Sequence, residues 1–142
     1  MDGMRPIPGS PEPGDRPWLV ALSFAAVVAG AMLLTLAPPS PATAVAGVAM
    51  TVGGAGLAAA GTARVLRENQ GRRVPWWGGP PVRPRRWDLL MGTGAPMAFY
   101  GPVVTARSVD ALPGWTPLAV SAVLVAALFT AQALHNRRVP AA

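Results

Sequence analysis

Catalysis needs a nucleophile, an acid or base, or a metal, and this sequence offers few of these groups. His135 is the only imidazole, Cys and Lys are absent, and six carboxylates complete the acidic set. Without a second His or a Cys, zinc would have to be held by carboxylates alone, outside its usual donor sets. With no thiol, disulfide and thiolate chemistry are both closed. His135 precedes Arg137 and Arg138 and reads as a cation at a helix C-terminus. Asp88 follows Arg85 and Arg86; a lipid-headgroup enzyme could use an acid among arginines, but Mg²⁺ there generally needs several carboxylates, and only the more distant Glu68 is available. A carboxylate favouring a helix N-terminus accounts for Asp88 adequately. Gly53, Gly54 and Gly56 lie in an apolar stretch with no strand ahead of them and no Lys in the chain, so they are packing glycines and cradle no phosphate. The expectation is therefore no catalytic residue, no cofactor, no metal and no enzyme.

What remains is chemistry of contact. Pro96 and Pro102 each remove a backbone hydrogen bond, to the carbonyls of Gly92 and Ala98, leaving acceptors that need partners within a bundle. Thr93, Tyr100 and Thr105 are the nearby donors. A helix broken in this way is where transporters bind substrate, so Gly92, Thr93, Pro96, Tyr100 and Pro102 mark a kink and a candidate pathway. Against transport stand the lack of a matching break elsewhere and of any charge inside an apolar stretch.

The elements that carry these residues are membrane helices by composition: of 142 residues, 51% are hydrophobic and 13% charged. Arg16 and Arg64 are consecutive charges. The predicted fold is all-α, a polytopic integral membrane protein with four transmembrane helices arranged as two hairpins, over 18–37, 42–63, 89–106 and 117–134. At about 1.5 Å rise per residue, 20 residues cover the roughly 30 Å hydrocarbon layer. Pro38, Pro39 and Pro41 reverse the chain between the first two spans. Gly71 is expected to end a helical extension of the second. Thr116 is read as an N-cap with Pro117 at the first helical position of the fourth. A signal-peptide reading, with Ala42, Thr43 and Ala44 as the cleavage site, is opposed by a net acidic leading segment and an overlong apolar stretch.

The second span is almost wholly Ala, Gly and Thr. Gly47, Thr51, Ala55, Ala59 and Ala63 recur every four residues as a small-residue ridge, which predicts close helix packing and an innermost position. Residues 1–17, rich in Pro, are expected to form a disordered cytoplasmic tail, with a Pro-rich ligand as the alternative, and 135–142 a second cytoplasmic tail.

Between the second and third spans, 64–88 holds seven arginines with Trp76, Trp77 and Trp87. Arg72, Arg73, Trp76, Trp77, Arg83, Arg85, Arg86 and Trp87 form the expected anionic-lipid surface. In a membrane chain the net charge of +6 points to anionic headgroups at the cytoplasmic face and not to nucleic acid. With both termini in the cytoplasm, eleven of the twelve arginines lie inside and only Arg107 outside, an asymmetry that sets the orientation and requires an even number of spans. The expected localisation is the cell membrane, multi-pass. The expected role is an accessory or scaffolding subunit, or a homo-oligomer, acting through other membrane helices. The alternative is an oligomeric transporter or channel component using the Pro-broken third span.

Overall fold

A computed structural model describes residues 14–77 and 79–139, and the expectation for most of the N-terminal tail lies outside them. The described chain is all-helical: α1 (Pro17–Leu36), α2 (Pro41–Glu68), α3 (Leu89–Ser108) and α4 (Thr116–Arg137). Three of these, α1, α2 and α4, are long and apolar enough to cross a membrane. α3 has the length, but its glycines, prolines and hydroxyl residues dilute its hydropathy.

The helix boundaries follow local chemistry. Pro17 starts α1, where its missing N–H costs nothing, and the Ala37 N–H closes the helix on the Leu33 carbonyl at 3.0 Å before Pro38 and Pro39. Ser40 then caps α2 reciprocally with Thr43: the Ser40 hydroxyl accepts from the Thr43 N–H at 3.2 Å, and the Thr43 hydroxyl accepts from the Ser40 N–H at 3.0 Å. α2 continues past Ala63 for more than a turn and stops at Glu68, three residues before Gly71, with Asn69 as its C-cap. α4 begins one residue earlier than expected: Trp115 is the N-cap and Thr116 is already helical, because the preceding turn is closed by the Thr116 N–H on the Pro113 carbonyl at 2.9 Å. α3 runs without interruption through Pro96 and Pro102.

The packing order differs from the chain order. α2 and α3 form the closest pair, and α1 docks on α3 rather than on its sequence neighbour α2. α4 touches α3 and α2 and buries no residue. The innermost helix is thus α3, not α2 as its small residues alone imply, since α3 meets all three others. The physical reason is polarity: a helix with hydroxyls and proline-freed carbonyls is least suited to face hydrocarbon.

The outside is apolar. Leu22, Phe24, Leu33, Leu36, Val52, Leu118 and Val123 are all exposed, whereas the buried hydrophobic set is a handful of residues led by Ala31, Ala58 and Val104. This inverts the pattern of a soluble domain, where large contiguous apolar patches are rare.

Candidate functional site

The α2–α3 contact is built from glycines that let the two backbones meet. A Cβ on Gly47 would lie 2.6 Å from the Thr105 nitrogen and 2.9 Å from the Gly101 carbonyl. Reciprocally, a Cβ on Gly101 would lie 2.5 Å from the Thr51 nitrogen and 2.7 Å from the Gly47 carbonyl. The arrangement repeats further along: Gly54 abuts the Ala98 nitrogen and Gly94 carbonyl, while Gly94 abuts the Ala58 nitrogen and Gly54 carbonyl. Two pairs of Gly-xxx-small segments, 47–51 on 101–105 and 54–58 on 94–98, therefore face each other antiparallel. In the first pair each threonine hydroxyl donates to its own glycine carbonyl, Thr51 to Gly47 at 2.9 Å and Thr105 to Gly101 at 3.0 Å, so neither presents a bare hydroxyl to the seam.

The seam runs through residues 47, 51, 54, 58 and 61 of α2, alternating steps of four and three. Of the expected ridge, Gly47 and Thr51 lie on it; Ala55 and Ala59 line a crevice toward α4, and Ala63 is exposed. A strict four-residue step drifts about 40° per step around a helix of 3.6 residues per turn, whereas alternating steps hold one face.

The residues of the expected pathway are spread around α3. The Thr93 hydroxyl donates to Ser23 of α1 at 2.9 Å, and Gly92 abuts Val20 of α1. Thr105, roughly 120° away around the helix, faces α2. Tyr100 is half-buried and stands edge-on to Phe99 with ring centroids 5.4 Å apart. Pro96 is half-buried and Pro102 buried.

The basic loop is held by two asparagines that sequence reading passed over. Asn69, 0% exposed, accepts from the Val82 N–H at 2.8 Å and donates to the Val82 carbonyl at 3.3 Å. Asn136 does the same for Val74, with both bonds at 2.8 Å. Gln132 donates to the Pro75 carbonyl at 2.9 Å and His135 to the Arg72 carbonyl at 3.1 Å. Each amide satisfies an N–H and a C=O that an irregular segment leaves open. The signal was an amide beside a helix end facing a loop rich in Pro, which cannot pair its own backbone.

Ion pairs close the other edge. Arg85 grips Glu68 with two bonds of 2.7 and 2.6 Å, and Arg64 meets Asp88 at 2.7 Å, tying the end of α2 to the start of α3. Burial pushes the Asp88 carboxyl up, but the Arg64 guanidinium and the Met91 N–H outweigh it and hold the pKa below its ordinary value. Asp15 reaches the same helix end, accepting from the Leu89 N–H at 2.7 Å while its own N–H donates to the Trp87 carbonyl at 3.0 Å. Asp15 is thus bonded to the start of α3, and Pro17 is the first residue of α1.

The lipid-surface residues split in two. Arg72, Arg73, Arg83, Arg86, Trp76, Trp77 and Trp87 are exposed, Trp77 at 86%, whereas Arg85 is taken up by Glu68. Trp76 also stacks on Phe129 of α4, centroids 5.6 Å apart. Among the described residues no group of three His, Cys, Asp or Glu side chains is placed to hold a metal. Comparison with family models, curated proteins and solved structures gave no match.

Proposed function

We propose that the protein is a four-span cell-membrane protein, its arginine-rich loop and both termini cytoplasmic, that acts through helix contact as an accessory or scaffolding subunit or as a homo-oligomer. One observation carries this reading. The loop is hydrogen-bonded at once to Asp15 before α1, Asn69 after α2, Met91 in the first turn of α3 through Asp88, and Asn136 at the end of α4. The four helix ends that the arginine asymmetry assigns to the cytoplasm are therefore gathered together, as four antiparallel crossings require.

The contact role follows from which surfaces remain. The glycine seam is consumed within the chain, joining α2 to α3. α4, which buries nothing, and the outer side of α1, with Leu22, Leu33 and Leu36 exposed, are the faces open to other helices. Mild extraction, cross-linking and mass spectrometry of what co-purifies tests the role. A partner helix or second copy cross-linked through α4 is the expected result, and an inert monomer sinks it. Flux in reconstituted vesicles that disappears on Tyr100→Phe would replace the contact role with transport.

A further inference from the structure

Because α4 lies loosely on its neighbours, a crevice of about 440 Å³ separates it from the α2–α3 pair. Its lining includes Ala55 and Ala59 of α2, Ala98 of α3, and Ser121, Leu124 and Leu128 of α4. The volume falls in the roughly 300–1,000 Å³ range of ligand pockets, and the lining is almost wholly hydrocarbon.

From Ser121 to Leu128 the crevice follows α4 for about 10 Å, long enough to take part of an acyl chain.

One end of this crevice approaches the basic loop. Phe129, next to Leu128, stacks on Trp76; one turn further Gln132 holds the Pro75 carbonyl, and His135 holds that of Arg72. The segment 72–76 is thereby fastened to α4 within two turns of the crevice, carrying the exposed side chains of Arg72 and of Arg73, whose guanidinium also donates to the Val139 carbonyl at 3.4 Å. Guanidinium groups present planar, multidentate donors to phosphate oxygens. Hydrocarbon-lined space with a basic segment fastened beyond one end is complementary to an anionic lipid.

We propose that this crevice binds one phospholipid with an anionic headgroup, an acyl chain lying between α2 and α4 and the phosphate held by Arg72 and Arg73. The inference rests on the membrane setting but not on the accessory role. The test uses the full chain in bilayers of equal phosphatidylglycerol and phosphatidylcholine, extracted mildly and weighed intact by native mass spectrometry. Retained phosphatidylglycerol is expected to exceed phosphatidylcholine by about fivefold per guanidinium. Replacing both Arg72 and Arg73 by Gln should bring the two lipids to parity without lowering total retention. Ala59→Phe should fill the crevice and lower retention of both; where circular dichroism shows that variant unfolded, Ala59→Leu with Ala127→Leu replaces it. Equal retention of the two lipids by the unaltered chain, or retention indifferent to a filled crevice, overturns the proposal. A chain soluble without detergent would instead overturn the membrane reading itself.

Discussion

Single side chains decide whether the arginine-rich segment is a surface or a loose strand. Asn136 satisfies both backbone groups of Val74, so Asn136→Leu leaves an N–H and a carbonyl without that partner. An unmade buried hydrogen bond costs about 1–3 kcal/mol. The expected outcome is faster amide exchange at 72–76 and earlier proteolysis there, with the protection of α2 and α3 unchanged. Equal exchange in both proteins would show that Trp76 on Phe129 suffices to hold the segment. Asp88 supplies a pH dependence of known sign. Its carboxyl titrates below its ordinary value in the folded chain, so its contribution is present above the unfolded pKa of about 3.9 and is lost as pH falls through the lower folded one. Between pH 7 and 5 the Arg64 tie should therefore be indifferent to pH; toward pH 3 thermal stability should drop, and Asp88→Asn should flatten that acid limb. An acid limb of the same depth in the variant would assign it to other carboxylates.

At the scale of the helix, glycines of identical composition carry opposite consequences. Gly54 is buried against the Ala98 backbone, while Gly56, two residues on, has open space where a Cβ would stand. Gly54→Ala should cost about 3 kcal/mol or more, because the obstacle is backbone and cannot rotate away. Gly56→Ala should be neutral or stabilising by up to about 1 kcal/mol, through helix propensity alone. Detergent-solubilised thermal unfolding of the two variants separates these outcomes; equal effects would dissolve the seam. The same pair shows what could be read from the sequence. Helix number and position were legible, since charge-free apolar runs and the Pro38, Pro39 and Pro41 turn leave little choice. The seam was half legible: small residues are visible, but choosing 47–51–54–58 over 47–51–55–59 needs the partner helix, whose Gly94 and Gly101 are themselves seven residues apart. The docking of α1 on α3 was hidden, because Ser23 and Thr93 are ordinary residues until paired. The loop clamp was partly legible: an amide beside a helix end facing a Pro-rich loop is a signal, but that it holds Val74 or Val82 is visible only in the fold.

Taken whole, the molecule has one end crowded with guanidiniums and held by hydrogen bonds among four helix termini, and another that carries Arg107 at the close of α3 and the Pro113 turn. On the proposed topology the basic end stays on the cytoplasmic side. Each arginine is costly in hydrocarbon and is drawn to anionic lipid on the cytoplasmic side. The chain lacks cysteine, so single cysteines report cleanly. Gly114→Cys stands in open space, and Pro81→Cys replaces an exposed loop residue, so neither should disturb packing. An impermeant maleimide applied to intact cells should label position 114 and leave 81 untouched, with 81 labelled only after permeabilisation. Neutralising the exposed Arg72, Arg73 and Arg86 to Gln should raise external labelling at 81 to a detectable minor fraction, because the asymmetry against Arg107 falls while most of the arginines stay in place. Labelling of 81 from outside in the unaltered chain would invert the orientation. Labelling of both positions without permeabilisation would mean that the helices do not cross as four antiparallel spans.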